Sequence, residues 1–201
     1  MCLYSAASML ERSLSAATTT LAGKTLLVVG FGMIGRKIGA LGRAIGMHVV
    51  GVSRTGRAHE DAHEVYPISR LLDFLPRADA VIAALPLNGS TEGLFNDVLF
   101  EHFRAGAFFV NVGRGATVNH AALLRALARQ AVQAAALDVL AQEPLPSEDA
   151  LWSADRLLLT PHIGGAGDPR AIRAMALGFA ANLQRFIRGE PLADLIFDRQ
   201  S

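Results

Sequence analysis

Residues Lys24–Arg36 read KTLLVVGFGMIGR: an apolar run that breaks into Gly30, Gly32 and Gly35 in G-x-G-x-x-G spacing. Each glycine has a mechanical reason to be there. Gly30 permits a tight turn, Gly32 lets backbone come close to a pyrophosphate, and Gly35 lets the following helix pack against the strand. The helix-like IGRKIGALGRAIG follows, so the first N–H groups of that helix, with Met33 and Ile34 among them, point at the same place and attract an anion. A glycine-eased turn between packed elements explains one glycine better than three. Strand before and helix after supply the context in which this spacing marks a dinucleotide site.

Working outward, similar short apolar runs recur: MHVVGVS, ADAVIAALP, GAFFVNVG, VQAAALDVL and RLLLTPH. Each has the length of a strand, is apolar on both faces, and most precede a stretch with 3.6-residue spacing. That rhythm predicts an α/β fold, a doubly wound, mainly parallel sheet of the Rossmann type with helices on both faces. The longest helix is expected from Asp168-Pro169, an N-cap followed by proline, to Gly189, with Ile172, Met175, Phe179, Leu183 and Phe186 on one stripe. The first twenty residues, ending in SAATTT, read as loosely organised.

Composition narrows the function classes. The 201 residues are 51% hydrophobic and 18% charged, enough to bury a core. A formal net charge of +1 provides no field to recruit nucleic acid or an anionic membrane. Lys24 and Lys37 are the only lysines, and the arginines are scattered along helical faces. The lone cysteine, Cys2, allows no internal disulfide and fits a reducing compartment. No apolar stretch reaches the roughly 18 residues that a spanning helix needs, and Glu11 and Arg12 interrupt the one N-terminal signal-like stretch. The expected location is cytoplasmic. No metal site is expected.

The second apolar run ends in Ser53-Arg54-Thr55. A free ribose 2′-hydroxyl is usually held there by an Asp or Glu, and none stands at this place. An arginine and two hydroxyls, with Arg57 nearby, suit a 2′-phosphate, so NADP is expected in preference to NAD. A surface loop with ordinary arginines is the plainer reading.

Three later runs also end in chemistry-bearing residues: Arg114 between Gly113 and Gly115, Asp138 with Glu143, and His162. In a doubly wound sheet, ligands lie outside the carboxyl ends of the strands. Taken singly, each residue has a duller explanation: Arg114 exposed in a glycine turn, Glu143 a loop carboxylate before Pro144, His162 a cap on the next element. Trp152 reads as packing into the core rather than touching a substrate.

The segments VVGFGMIGR, ALPLNGSTEGLF, FVNVGRGATVN, ALDVLAQEPLP and LTPHIGG, in this order, resemble the D-isomer-specific 2-hydroxyacid dehydrogenases. The resemblance runs from about Leu21 to the C-terminus. It implies an oxidoreductase reducing a small 2-oxo acid to a D-2-hydroxy acid with NAD(P)H. Arg114 would bind the substrate carboxylate and carbonyl, and His162, supported by Glu143, would be the acid or base on the substrate oxygen. Asp138 would face the nicotinamide. The same correspondence puts Leu85, Pro86, Thr91, Val112, Gly113 and Gly164 along the cofactor.

The residue types suit that chemistry on their own terms. A planar guanidinium grips a carboxylate in a bidentate way that lysine does not. Hydride delivery leaves charge on the carbonyl oxygen, and a histidine beside a carboxylate can meet it with a proton.

Members of the family begin with a long section that builds most of a substrate domain, whereas about twenty residues precede the first strand here. The organisation expected is residues 1–20 as a remnant of that domain or of a dimerisation helix, 21–180 as the dinucleotide-binding domain, and 181–201 as a return toward the substrate domain. Leu192, Leu195, Ile196 and Phe197 then lack cover, which implies a homodimer or a partner completing the cleft. The alternative is a truncated NAD(P)-binding module without turnover.

Overall fold

The computed structural model describes residues 20–165 and 169–193. The loosely organised N-terminal segment, Asp168 and the apolar residues Leu195, Ile196 and Phe197 lie outside the described residues. The chain divides between Thr160 and Pro161 into two compact units. The first contains β1 (Thr25–Val29), α1 (Met33–Ala44), β2 (His48–Ser53), β3 (Glu64–Pro67), α2 (Leu71–Phe74), β4 (Ala80–Ala83), α3 (Asp97–Glu101), β5 (Ala107–Asn111), α4 (His120–Ala128), β6 (Val132–Leu137) and β7 (Leu157–Leu159), and the second contains α5 (Pro169–Ile187).

All six apolar runs are strands, and together with β3 they pair in the order β3-β2-β1-β4-β5-β6-β7. Every pair is parallel. Sequence order runs outward from β1 to β3, then returns to the other side of β1 for β4. This is the doubly wound fold expected, and its switch point lies between β1 and β4. Strand β1 shows why such runs lack alternation: Leu26 and Val28 join the apolar cluster on one face, Leu27 and Val29 the cluster on the other. Burying a Val or Leu side chain fully is worth about 1.5–3 kcal/mol, and Leu27, Val28 and Val29 have no exposed surface.

Helix α1 can lie close to one face because its buried residues are Gly35, Gly39 and Gly42. The other face carries an aromatic group in which Phe109 of β5 packs against Phe95 at 4.9 Å and Phe100 at 5.5 Å between ring centroids. The group fixes β5, the strand that leads into Arg114.

Strand β3 escapes the sequence pattern because it sits at the sheet edge and reads EVYP, half-buried throughout. An edge position tolerates its proline. Side chains hold it: Glu64 accepts from Tyr66 Oη at 2.5 Å and lies 3.0 Å from His48 Nε2, and Tyr66 stacks on Phe74 at 4.3 Å. The Tyr66 hydroxyl, with His48 second, holds the Glu64 carboxyl below its usual range.

In the second unit, α5 ends as expected. Gly189 adopts φ 67°, its N–H donates to Phe186 O at 3.1 Å, and Glu190 N–H donates to Arg185 O at 2.9 Å. This is the reciprocal pair that closes a helix on a left-handed glycine. The stripe Ile172, Met175, Phe179, Leu183 and Phe186 is exposed along its length, as is Leu192. Among the described residues no helix is long and apolar enough to cross a membrane.

The expected core position of Trp152 is not what forms. In the short turn Ala150–Ser153, Leu151 takes the buried position, and Trp152 falls outward, 58% exposed, with Nε1 donating to Pro146 O at 2.8 Å.

Candidate active site at the carboxyl edge of the sheet

One row of register partners crosses all seven strands: Tyr66, Val52, Val29, Ala83, Asn111, Leu137 and Leu159. The strands therefore finish level, and the residues one step on, Ser53, Gly30, Ala84, Val112, Asp138 and Thr160, emerge at one edge. At about 4.8 Å per strand, the distance from β2 to β6 is roughly 19 Å. The chemistry singled out in the first unit lies along this edge.

At the switch point Gly30 has φ 101°, and its N–H donates to Val52 O at 2.8 Å. A Cβ there would lie 2.6 Å from Ala84 C, and one on Gly35 would lie 2.2 Å from Gly30 O. Gly32 differs, since nothing lies within 4 Å of where its Cβ would be. It precedes the first turn of α1 and offers no side-chain cap, and Met33 and Ile34 beside it are 71% and 56% exposed. An open backbone at the N-terminus of a twelve-residue helix is the cradle a pyrophosphate needs.

At the end of β2, Ser53 Oγ accepts from Gly56 N–H at 3.0 Å and so shapes the turn. Arg54, Thr55 and Arg57 are exposed on it. Beyond β4, Leu85 is buried and Pro86 exposed. Thr91 is buried, its hydroxyl donating to Pro86 O at 2.7 Å and accepting from Asn88 N–H at 2.9 Å, so it sets the shape of that loop.

The turn that carries Arg114 is held from within. Asn111, with no exposed surface, accepts from Gly113 N–H at 3.0 Å and donates through Nδ2 to Arg114 O at 3.1 Å. Buried Thr117 donates its hydroxyl to the same carbonyl at 2.6 Å. Gly113 packs on the Leu85 backbone, where a Cβ would come within 2.6 Å of Leu85 O. The Arg114 side chain is exposed, with Nη1 donating to Gly113 O at 2.8 Å. A fixed main chain thus presents an exposed cation at the edge. Sequence reading missed Asn111 and Thr117, whose only signal is being polar in an apolar run.

The next loop belongs to the same construction. A Cβ on Gly115 would lie 1.9 Å from Leu140 C, so the arginine turn and the loop after β6 touch backbone to backbone. In that loop Glu143 Oε1 accepts from Leu140 N–H at 2.8 Å, and Glu143 is exposed. Asp138, at the end of β6, accepts from Thr160 Oγ1 at 2.6 Å. His120 lies in the first turn of α4. Burial pushes its imidazole below the ordinary value, with the Asp149 carboxylate opposing, and its Nε2 is buried without a hydrogen-bond partner among the described residues.

His162 and Gly164 fall beyond the division, in the second unit. His162 is exposed and adopts φ 53°, a left-handed conformation uncommon outside glycine. At the opposite edge of the sheet, a cavity of about 440 Å³ is lined by Lys24, Asp79, Arg104 and Phe108 among others. Its two cations share Asp79, and no strand carboxyl end faces it. Among the described residues no cluster of His, Cys, Asp or Glu could hold a metal ion.

A seven-stranded parallel sheet with this switch point and glycine cradle defines a dinucleotide-binding domain of the Rossmann type. Residues 5–164 match the family model described as D-isomer specific 2-hydroxyacid dehydrogenase, NAD binding domain. The chain belongs to that family.

Among curated relatives, the glyoxylate reductase of Pyrococcus furiosus is 37% identical over 168 residues, covering 84% of this chain and 49% of that protein. Among solved structures, a D-isomer specific 2-hydroxyacid dehydrogenase family protein from Aeromonas salmonicida is 40% identical with a TM-score of 0.80, covering 89% of this chain and 57% of that one. The NADPH-dependent glyoxylate/hydroxypyruvate reductase of Sinorhizobium meliloti, in complex with NADP and sulfate, is 30% identical with a TM-score of 0.81, covering 90% and 57%. The chain spans about half the length of the curated relatives it matches.

Proposed function

We propose that this chain is the cofactor-binding and proton-handling part of a reductase that converts a small 2-oxo acid to a D-2-hydroxy acid with NAD(P)H. The observation that carries the reading is the level edge on which an open helix N-terminus after β1, Arg114 after β5, and Asp138 and Glu143 after β6 stand in strand order. When bound, the reduced nicotinamide supplies hydride. The chain's own residues do the rest. Gly32, Met33, Ile34 and Gly35 hold the pyrophosphate through main-chain N–H groups. Ser53, Arg54 and Thr55 take the adenosine ribose, and Leu85, Pro86, Val112 and Gly113 line the path, with Thr91 shaping it. Arg114 grips the substrate carboxylate and the carbonyl oxygen. His162 gives that oxygen its proton, Glu143 supports the imidazole, Asp138 faces the nicotinamide end, and Gly164 lies along the cofactor.

The cofactor preferred is NADP, because the turn after β2 exposes Arg54 and Arg57 and carries no carboxylate from Ser53 to Ala58. The Sinorhizobium relative is described with NADP bound. The exposed stripe of α5 is where the remainder of a substrate domain, a second copy or another partner would pack, and the cytoplasm is the compartment that fits.

The test is NADPH oxidation with glyoxylate and with hydroxypyruvate, beside calorimetric titration of NADPH. Turnover that Arg114→Lys lowers at least tenfold, through loss of the bidentate grip, supports the reading. Tight cofactor binding without turnover selects a binding module instead, and absence of binding overturns both.

A further inference from the structure

We propose that Thr160 is a positioning residue for Asp138, fixing the carboxylate that meets the nicotinamide end of the cofactor; this rests on the cofactor reading above. Thr160 is attached to the end of β6 twice: its N–H donates to Leu137 O at 3.0 Å, and its hydroxyl donates to Asp138 Oδ1 at 2.6 Å. The short distance is that expected of a hydroxyl on a carboxylate.

Three features hold the donor in place. Threonine is branched at Cβ and has few rotamers. Pro161 follows and confines Thr160 to extended backbone. The main-chain bond to Leu137 belongs to the pairing of β6 with β7, in which Leu137 partners Leu159. An ionised carboxylate accepts but does not donate. With one oxygen anchored by Thr160, the plane of the group is set, and a carboxylate so oriented suits an N–H donor such as a carboxamide. Thr160 is also the last residue of the first unit and stands two places before His162. The same residue that orients Asp138 is therefore where the histidine-bearing segment leaves the sheet.

The experiment compares this chain with Thr160→Val and Thr160→Ser by calorimetric titration with NADPH and, separately, with 2′-phospho-ADP-ribose, which lacks the nicotinamide. Valine keeps the shape and loses the hydroxyl; serine restores it. The expected result is NADPH affinity lower by about tenfold in Thr160→Val, as for loss of one hydrogen bond to a charged group. It should be recovered in Thr160→Ser, with affinity for the fragment unchanged in both. Equal losses for NADPH and the fragment would make Thr160 merely structural and overturn the proposal, as would no loss at all. Failure of the unsubstituted chain to bind either compound would instead remove the cofactor reading, and the proposal with it.

Discussion

The side-chain amide of Asn111 donates to the carbonyl of Arg114 at 3.1 Å, while its oxygen accepts from Gly113 N–H at 3.0 Å, so one buried group spans the turn that presents the cation. Asn111→Leu keeps the branching at Cγ and removes both bonds. Thr117 still serves the Arg114 carbonyl, so the group left unpaired is the buried Gly113 N–H, at a cost of about 1–3 kcal/mol. Urea unfolding should show a lower midpoint at an unchanged slope. An unaltered midpoint would mean the bonds do not hold the turn.

Gly115→Ala tests the junction between the arginine turn and the loop of Glu143. The added methyl would sit 1.9 Å from the Leu140 carbonyl carbon, against backbone that has no rotamer to change. Overpacking of this kind costs about 1–3 kcal/mol. Thermal denaturation should fall accordingly, and hydrogen exchange at residues 139–146 should quicken. Exchange that stays as slow as before would separate the two loops.

On the proposed reading, cofactor choice depends on Arg54. NADPH should bind more tightly than NADH, and Arg54→Asp should reverse the order, because a carboxylate accepts from a ribose 2′-hydroxyl and repels a 2′-phosphate. Calorimetric titration of both cofactors against both proteins decides it. Equal affinities in the unsubstituted chain would remove the assignment.

His120 gives stability a definite pH dependence. Burial places its folded value below the ordinary 6.5, with Asp149 opposing. Between those two values the unfolded chain binds more protons than the folded one, so stability rises with pH through that window. Its contribution is complete above about 6.5 and declines as pH falls toward the folded value. His120→Phe should flatten that part of the urea-midpoint profile. A profile of identical slope in the variant would assign the dependence to other groups.

The sheet was legible wherever both faces of a strand are buried, because a continuous apolar run then has no competing explanation; KTLLVVG and MHVVGVS are of this kind. Strand β3 was not, since EVYP at an edge buries neither face fully and is held by Tyr66, Glu64 and His48 instead. The glycine spacing around Gly30 could be read because each glycine answers a separate steric demand. Asn111, Thr117 and Thr160 could not. Their work is side-chain bonding to main chain, or to a carboxylate twenty-two residues away in the case of Thr160, and such pairings exist only once the strands stand side by side. Trp152 misled because aromatic size suggests burial, whereas in its turn Leu151 takes the inward position.

The most direct measurement is a crystal structure of this chain with NADPH and oxamate, an unreactive mimic of a 2-oxo acid. The account predicts the nicotinamide beside Asp138, the oxamate carboxylate in the guanidinium fork of Arg114, and His162 within hydrogen-bond distance of the oxamate carbonyl oxygen. Oxamate bound elsewhere, or an Arg114 guanidinium turned to solvent with His162 on another surface, would contradict it.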